Sequence, residues 1–372
     1  MTPEEAMRVA IAQARRGLGR TFPNPSVGAV VFRGGRRLGI GRTVPPPGPH
    51  AEVVALAAAR RKSGVRSLRG ASLAVTLEPC CFSGRTGPCT AALIEAGVSR
   101  VYVGCRDPHP RVAGKGIARL RRAGIEVETG IREAECRELH RGFLSVWQRG
   151  RPFVTLKLAT SLDGRIATAS GESQWITSPE ARAFVHQLRS RSDAILVGSG
   201  TALADDPALT ARRDGRVVHR PARILVDSRL RVPVGAKLFR GLGTTPTFVL
   251  TRRGARGGRS REQLGATLIP VPVRRGQLDL ARGLAAVADV GVTTVLVEGG
   301  GMLAAALLRA GLVDELHWIQ APILLGDEGR PALGELGVRR LVDAVQLVGV
   351  KRRALGPDVH IQARTGGRKR GR

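Results

Sequence analysis

The chain has 372 residues, of which 42% are apolar, so it is long enough for two domains with ordinary cores and is not disordered as a whole. No apolar stretch approaches the roughly 20 residues that cross a bilayer, which excludes a membrane-spanning helix and a membrane partner. The net charge of +30 suggests nucleic-acid binding, but the arginines are spread through every segment and only 3% of residues are aromatic, so we expect small-molecule ligands and no specific nucleic acid.

The N-terminus predicts a capped amphipathic helix. Thr2, Pro3 and Glu5 form a helix start, and apolar residues follow at helical spacing. Because this segment lacks a basic start and a continuous apolar run, it does not look like an export signal, and we expect a cytoplasmic protein. Five cysteines are an odd number for such a chain, which argues against a disulfide framework and points to metal binding or catalysis as the property to test.

Strands and helices alternate through residues 1–148, which we predict to form one domain. Strands are expected at 27–32, 72–77, 101–104 and 125–130, and helices at 51–62, 90–96 and near 114–123. This alternation is typical of an α/β layered fold with a mostly parallel sheet. A further helix from about Glu133 to Trp147 leads into a polar stretch with Gly150 and Pro152, where we place the domain boundary.

A second α/β domain is predicted over residues 149–365, without an internal copy of the first half. Its expected strands are at 153–159, 194–198, 223–228, 247–251, 266–272 and 293–297, with helices at 179–190 and 302–310. The basic tail, residues 366–372, is expected to be disordered.

One histidine and two cysteines form a pattern typical of a catalytic zinc site. His50 and Glu52 open a predicted helix. Cys80 follows the end of a strand, at the edge where ligand sites in α/β sheets lie, and Cys89 begins the next helix. Because three protein ligands leave a fourth position for water, we assign His50, Cys80 and Cys89 to zinc and Glu52 to proton transfer.

The same residues admit other interpretations. A structural zinc site normally has four protein ligands, and Cys81 is the candidate for the fourth, although a neighbour on the same short turn generally points elsewhere. A His-x-Glu pair alone occurs often by chance. Cys105 and Cys136 are expected to be core or surface thiols.

A glycine-rich turn marks the second domain. Residues 297–301 (VEGGG) follow a predicted strand and precede a helix, a geometry that either binds phosphate or simply forms a turn. The segment from Gly198 to Thr201 does not complete a G-x-G-x-x-G motif, because Leu203 stands at the last glycine position. The pattern therefore disfavours a standard Rossmann domain.

Motifs along nearly the whole chain resemble those of the bifunctional riboflavin-biosynthesis deaminases and reductases. These motifs are NPSVGAVV at 24–31, HAEVVAL at 50–56, TLEPC at 76–80, GRTGPC at 84–89, DPHPRVAGKG at 107–116, SLDGRIA at 161–167, SGESQWITS at 170–178, ILVGSGTALADDPALTAR at 195–212 and VEGGG at 297–301. The eight residues between Cys80 and Cys89 match this family, whereas cytidine and tRNA-adenosine deaminases have two residues between their cysteines.

The resemblance implies a cytidine-deaminase-like three-layer domain followed by a dihydrofolate-reductase-like α/β domain. It implies zinc-dependent deamination of a diaminopyrimidine ribonucleotide and then NADPH-dependent reduction of its ribosyl group. It also places Asn24 at the pyrimidine. The chain departs from the family pattern at Phe82, where the family usually has histidine, and at Gly87, where it has proline.

The resemblance also assigns the residues of the reductase site. NADPH would contact Ala159, Trp175, Thr201 and Asp205, together with Gly300, Gly301, Met302, Leu303, Ala304, Ala305 and Ala306. The sugar phosphate would face Ser173, Arg189, Leu209, Arg212 and Glu298. Trp175 could equally be a core residue. Lys157 and Asp163 lie in matching motifs without a separable role, and Arg252 and Arg253 are candidates for the 2′-phosphate of NADPH.

Three rival functions stay open from the sequence. One is a deaminase whose C-terminal half has lost reduction, although the Trp175 and Glu298 neighbourhoods are both present. Another is a basic RNA-binding module that retains a deaminase fold. The third is a base-editing enzyme acting on RNA, which the cysteine spacing disfavours. Homo-oligomer formation is also open.

Overall fold

The computed structural model of the chain describes residues 1–64, 68–84 and 87–366, and of Ser63 only the backbone. The chain divides into two compact units, one from Met1 to Gly150 and one that begins at Arg151. The tail predicted to be disordered lies outside the described residues, apart from Gly366. None of the described helices combines the length and the apolar character that crossing a bilayer requires.

In its described residues, the first unit has one five-stranded sheet and six helices. The strands are β1 (Gly28–Arg33), β2 (Arg36–Arg42), β3 (Ser72–Leu77), β4 (Arg100–Cys105) and β5 (Glu126–Thr129). The helices are α1 (Pro3–Arg15), α2 (Ala51–Ser63), α3 (Cys89–Ala96), α4 (Lys115–Arg122), α5 (Glu133–Leu139) and α6 (Arg141–Arg149). The strand order is β2-β1-β3-β4-β5, in which β1 is antiparallel to both neighbours and β3, β4 and β5 are parallel.

Apolar patterning explains this packing. Strand β3 is mostly apolar and is buried almost throughout, as expected for a central strand covered on both faces. Helix α1 begins with a capping box between Thr2 and Glu5 and buries one apolar face. It lies so close to β1 that a Cβ on Gly28 would stand 1.9 Å from the carbonyl oxygen of Ala10, so glycine is required there.

The second unit contains a nine-stranded sheet. Its helices are α7 (Pro179–Ser190), α8 (Ser199–Asp205), α9 (Gly258–Gln263), α10 (Leu280–Asp289) and α11 (Gly301–Arg309), with 3-10 turns at Lys237–Phe239 and Leu341–Asp343. The strands are β6 (Phe153–Thr160), β7 (Arg165–Ala167), β8 (Ala194–Gly198), β9 (Ala211–Arg213), β10 (Arg216–His219), β11 (Ala222–Val226), β12 (Thr247–Arg252), β13 (Thr267–Val271), β14 (Val273–Arg274), β15 (Gln277–Leu278), β16 (Thr294–Val297), β17 (Glu315–Gln320), β18 (Arg330–Pro331), β19 (Leu347–Leu355) and β20 (Asp358–Thr365).

The large sheet is parallel over most of its width. Its order is β13-β12-β11-β8-β16-β6-β17-β20-β19, and only β20 runs against the other strands, so that its pairings with β17 and β19 are antiparallel. The carboxyl ends of β6, β8 and β16 therefore lie side by side. This is the edge at which α/β sheets usually bind ligands.

One helix predicted from the sequence needs correction. The helix predicted from Glu133 to Trp147 is two helices, α5 and α6, which are separated at His140. His140 has non-helical backbone angles (φ −94°, ψ 14°) and is buried beside Thr76. The first sheet is mostly parallel, as predicted, because β1 alone runs opposite to the other four strands.

Candidate active sites

Three metal-binding side chains converge in the first unit. His50 precedes α2, Cys80 follows β3, and Cys89 is the first residue of α3. The Nδ1 atom of His50 lies 3.2 Å from Sγ of Cys89 and 3.6 Å from Sγ of Cys80, and all three ligand atoms lie within 4.8 Å of one another. Usual zinc bond lengths in a tetrahedral site separate nitrogen and sulfur by about 3.6 Å, so the donor set fits zinc.

The sulfur atoms are in an environment that favours one thiolate. Two interactions lower the pKa of Cys80 to about 4. The larger is the hydrogen bond from the Cys89 thiol, and the smaller is the hydrogen bond with His50. The backbone N–H of Cys89 also donates to Sγ of Cys80 at 3.3 Å. The same thiol pairing, together with burial, raises the pKa of Cys89. A metal ion must therefore displace the proton of Cys89 when it binds.

Glu52 is the proton-transfer candidate. It is buried in the first turn of α2, two residues after His50. Burial, reinforced by the nearby Cys80 sulfur, raises the pKa of Glu52 to about 7. A carboxyl group with a pKa near neutrality can both accept and return a proton at physiological pH. The site thus combines three candidate metal ligands with a buried, ionisable carboxyl group that is not among them.

The other three cysteine thiols lie outside the candidate metal site. Cys81 donates its S–H to the backbone carbonyl of Arg111 at 3.4 Å, and it is not part of the metal-binding group among the described residues. Cys105 and Cys136 are buried. A fourth sulfur ligand is therefore not supplied by the neighbouring residue, which leaves the coordination open as in catalytic zinc sites.

Glu78 is a residue that the sequence interpretation missed. Its buried carboxylate accepts the backbone N–H groups of Asp107, Gly114 and Ile117 at 3.3, 3.0 and 3.2 Å. It thereby fixes the loop from Asp107 to Ile117 against the turn that carries Cys80. Its place in the TLEPC motif was the available signal, but which N–H groups it meets depends on the fold.

Aromatic side chains lie beside the same turn. Phe82 packs against His109 with 5.6 Å between ring centres, and His109 packs against Trp147 at 4.1 Å. The guanidinium of Arg111 covers the Phe82 ring at 4.0 Å. Asn24 is half-buried. Its backbone N–H donates to the carbonyl of Thr21, and its carbonyl accepts from Oγ1 of Thr21, whereas its side-chain amide has no hydrogen-bond partner among the described residues.

The second unit has a large cavity of about 1160 Å³ at the carboxyl edge of the sheet. It is lined by most of the reductase residues that the resemblance assigned, namely Ala159, Ser173, Trp175, Arg189, Thr201, Asp205, Leu209, Arg212, Glu298, Gly300, Gly301, Met302, Leu303 and Ala306. Ala304 and Ala305 do not line it, because their side chains are buried on the inner face of α11. Arg252 and Arg253 also lie outside the lining.

Arg189 and Glu298 form a paired wall of the cavity. Nε and Nη2 of Arg189 donate to the two carboxylate oxygens of Glu298 at 2.6 and 2.9 Å, and Nη1 donates to the carbonyl of Thr210 at 3.0 Å. Burial opposes ionisation of Glu298, but the charge and hydrogen bonds of Arg189 outweigh it and lower the pKa of the carboxyl. Burial also lowers the pKa of Lys157, the neighbouring cation. The pair is fixed in position and keeps two N–H groups of Arg189 for a ligand.

The glycine-rich turn opens onto this cavity. Gly299 and Gly300 line it, and the N–H of Gly300 donates to Oγ1 of Thr201 at 3.0 Å. A Cβ on Gly301 would stand 2.8 Å from the carbonyl of Pro331, so this position requires glycine. The start of α11 can therefore offer its remaining N–H groups to an anion.

The cavity lining includes exposed apolar side chains, and its charged residues are mostly cationic. Trp175 is 68% exposed and lies under the guanidinium of Arg182 at 4.6 Å, and Met302 is 80% exposed. Trp175 is thus not a core residue. Seven cationic residues line the cavity against three acidic ones: Lys157, Arg182, Arg189, Arg212, Arg231, Lys237 and Arg330 against Asp205, Asp206 and Glu298. This balance suits a large anion that carries a planar ring.

Several lining residues were not assigned from the sequence. They are His186, Ser228, Arg231 and Lys237. Arg231 donates from Nη2 to Oγ of Ser199 at 2.7 Å. His186 belongs to α7, whereas Ser228, Arg231 and Lys237 belong to the connection between β11 and β12. That connection shows no recognisable motif, so the sequence did not indicate that it reaches the cavity.

The chain matches two known protein families in order. Residues 1–105 match the zinc-binding region of cytidine and deoxycytidylate deaminases, a range that contains all three candidate ligands. Residues 152–361 match the family described as RibD C-terminal domain. The predicted deaminase-like first domain and its order before a reductase domain are thereby confirmed.

Full-length relatives and solved structures agree. The chain is 43% identical to the riboflavin biosynthesis protein RibD of Escherichia coli, over 96% of this chain and 98% of that protein. It is 40% identical to RibD of Bacillus amyloliquefaciens, over 97% and 95%. The fold matches Acinetobacter baumannii RibD with a TM-score of 0.87 and 36% identity, over 98% of this chain and 99% of that chain. It also matches a diaminohydroxyphosphoribosylaminopyrimidine deaminase/5-amino-6-(5-phosphoribosylamino)uracil reductase from Thermotoga maritima, with a TM-score of 0.83 and 33% identity over 98% and 99%.

Proposed function

The chain belongs to the RibD family of bifunctional riboflavin-biosynthesis enzymes, and from this membership we propose the reaction of each domain and the residues that carry it. The first domain deaminates 2,5-diamino-6-ribosylamino-4(3H)-pyrimidinone 5′-phosphate. The second domain reduces the ribosyl group of the deaminated nucleotide with NADPH, which yields 5-amino-6-ribitylaminouracil 5′-phosphate. A pyrimidine ribonucleotide is thus the small-molecule partner of both domains.

In the first domain, His50, Cys80 and Cys89 hold zinc. Zinc bound by these ligands supplies Lewis-acid activation of a water molecule. Glu52 accepts a proton from the attacking water on its carboxylate and returns it to the departing amino group, which leaves as ammonia. The raised pKa of Glu52 suits both directions of transfer. Asn24 offers its half-buried amide to the pyrimidine ring.

In the second domain, the cavity residues bind and orient two anionic ligands. NADPH, when bound, supplies the hydride. The turn at Gly300 and Gly301, with Thr201 beside it, holds cofactor phosphate, and Trp175 offers a ring face. Arg189, held by Glu298, and Arg212 bind the nucleotide phosphate through forked hydrogen bonds.

The observation that carries the proposal is the convergence of His50, Cys80 and Cys89 within 4.8 Å, with Glu52 buried beside them. A closed structural site would need a fourth protein ligand, and Cys81 is engaged with Arg111 instead. A buried carboxyl group, Glu52, beside a metal site with a free position for water therefore favours hydrolytic chemistry.

Incubation of the purified protein with the diaminopyrimidine ribonucleotide tests both halves together. Ammonia release and NADPH oxidation are followed in the same sample, with and without NADPH. We expect ammonia release in both samples. In the sample that contains NADPH, we expect NADPH oxidation to begin after ammonia release has begun. Ammonia without oxidation would indicate a deaminase that has lost reduction. Absence of both, combined with RNA binding that persists at moderate salt, would favour the RNA-binding alternative.

A further inference from the structure

Acidic residues are distributed unevenly along the chain. Between residues 6 and 77 the sequence has 13 lysines and arginines but one acidic residue, Glu52, which is buried beside the metal ligands. From residue 78 onward, 47 basic residues stand against 27 acidic ones. The surface contributed by residues 6–77 is therefore almost without carboxylates, a feature that the chain-wide abundance of arginine does not explain.

Five of these cations meet at one end of the first sheet. Arg33 and Arg36 are paired across the turn between β1 and β2, and Arg37 is the next residue of β2. The amine of Lys62, in the last turn of α2, donates to the carbonyl of Arg37 at 3.1 Å, and Arg61 precedes it in the same turn. All five side chains are exposed. We call Arg33, Arg36, Arg37, Arg61 and Lys62 the hairpin patch.

Neighbouring charges do not neutralise the hairpin patch. Within the part of the chain that the structure describes, none of its five residues forms an ion pair. The amino group of Met1 adds positive charge, because it donates to the carbonyl of Gly35 at 2.7 Å. Two acidic residues lie at the margins: Glu5, 3.9 Å from this amino group, and Glu95, at the end of α3 beside the loop that follows α2.

The hairpin patch is separate from the candidate metal site. His50 precedes α2 and Lys62 lies near its end, so the helical rise of about 1.5 Å per residue places their backbones about 18 Å apart. The patch also lacks the apolar centre of a protein–protein interface, since no described residue of β1, β2 or α2 exposes a large apolar side chain. Its chemistry is that of a dense cationic surface and nothing else.

We propose that the hairpin patch binds the phosphate backbone of nucleic acid without reading its sequence. Arginine forks match phosphate oxygens, and several exposed cations side by side suit a ligand with regularly repeated charges. The few aromatic residues of the chain disfavour stacking with bases but not contact with phosphates. This surface goes beyond the proposed deaminase and reductase functions and does not depend on either of them.

The test compares three full-length, zinc-loaded proteins. The patch variant carries Arg36→Gln, Arg37→Gln, Arg61→Gln and Lys62→Gln. The control variant loses the same number of exposed cations from the part of the first unit that contains acidic residues, through Arg100→Gln, Arg121→Gln, Arg122→Gln and Arg137→Gln.

Binding is measured by fluorescence anisotropy between about 50 and 200 mM salt, the range over which phosphate contacts weaken steeply. The probes are a DNA duplex, an RNA duplex of the same length, polyglutamate and vesicles that contain phosphatidylserine. Ammonia release and NADPH oxidation are measured for each protein and should equal the wild type in both variants, which shows that the variants are folded.

We expect the wild type to bind the duplexes with an affinity that falls steeply as salt is added. The patch variant should bind about 100-fold more weakly at low salt, and the slope of log affinity against log salt should shrink by about 3 to 4, because four phosphate contacts are lost. The control variant should stay within about three-fold of the wild type, because its cations lie outside the patch. Binding of only one duplex would support the proposal and identify the nucleic acid.

Equal affinities of the patch variant and the wild type would overturn the proposal. Equal losses in the patch and control variants would overturn it as well, because net charge alone would then explain the binding. Tighter binding of polyglutamate than of either duplex would assign the surface to an acidic protein, and tighter binding of the vesicles would assign it to a membrane surface. Either result would contradict a nucleic-acid partner.

Discussion

Glu52 illustrates how much of the deaminase chemistry depends on one side chain. It is buried beside three metal-binding residues but is not one of them. Its proposed role is proton transfer, which requires an ionisable carboxyl group and not merely a polar one. The role is therefore separable from metal binding by a substitution that keeps size and shape.

We predict that Glu52→Gln abolishes ammonia release while zinc remains bound. Loss of a positioned general acid and base costs on the order of 10²- to 10⁴-fold in rate. Single-turnover ammonia release and elemental zinc analysis of the same preparation check the prediction. Turnover that equals the wild type would remove Glu52 from the mechanism, and a zinc-free variant would show that it supports the ligands instead.

In the second domain, Arg189 is the single side chain on which we expect the reductase activity to depend most directly. Its planar fork meets both oxygens of Glu298 and the carbonyl of Thr210, a geometry that the single ammonium of lysine cannot reproduce. We predict that Arg189→Lys lowers kcat/KM for NADPH oxidation by about 10- to 100-fold and leaves ammonia release unchanged. Steady-state assays of both activities are the measurement.

Arg191→Lys is the matched control for Arg189. Arg191 lies at the end of the same helix, is exposed and does not line the cavity. It should keep wild-type reductase activity. Equal losses in the two variants would show that positive charge in this region matters, and not the fork at the cavity.

Prediction from sequence worked best for residues whose roles are local. His50, Cys80 and Cys89 follow from chemistry and spacing, since each stands at the end of a recognisable element. Glu78 could not be found in this way, because it acts by accepting N–H groups about 30 or more residues away.

At the scale of elements, the break between α5 and α6 has a physical cause. Residues 133–147 carry helical periodicity throughout, which predicted a single helix. In the structure Nε2 of His140 lies 3.1 Å from Oγ1 of Thr76, and the same oxygen accepts the N–H of Gly28 at 3.2 Å. The non-helical backbone at His140 thus coincides with a polar contact deep in the sheet, which periodicity cannot reveal.

This contact predicts a pH dependence. Burial lowers the pKa of His140 from 6.5 to about 4, so between these values the unfolded chain binds a proton that the folded chain does not. Stability from this group is complete above pH 6.5 and falls as pH drops towards 4, by at most about 1.4 kcal/mol per pH unit. We expect the advantage of the wild type over His140→Gln to shrink over this interval. Hydrogen-exchange protection of β3, measured in both proteins, checks it, and a constant difference would contradict it.

Two of the missed strands have a common feature. Strand β2 is polar and contains two glycines, and β19 is exposed along almost its whole length, so neither shows the apolar alternation by which strands are recognised. By contrast, β3 and β8 are mostly apolar and almost fully buried, and both were predicted with their bounds correct. Edge strands are defined by the partner that they join, and a sequence pattern records burial more directly than pairing.

At the scale of the whole molecule, each unit has its own sheet and its own chemistry. The zinc ligands and Glu52 all belong to the unit that ends at Gly150, and every residue that lines the reductase cavity lies after Arg151. Each unit also has an apolar core of its own. Neither set of site residues therefore requires side chains from the other unit.

This separation predicts that metal removal affects one activity only. A chelator that removes zinc should abolish ammonia release from the full chain, whereas NADPH oxidation with the deaminated nucleotide should continue at the same rate. Restored ammonia release on addition of zinc is the control for chelator damage. Parallel loss of both activities on chelation would mean that zinc stabilises the whole chain.

The same separation predicts that a fragment of residues 151–366 folds and oxidises NADPH with the deaminated nucleotide, because it contains the whole nine-stranded sheet and the complete cavity lining. A well-folded fragment without reductase activity would mean that reduction depends on the deaminase unit.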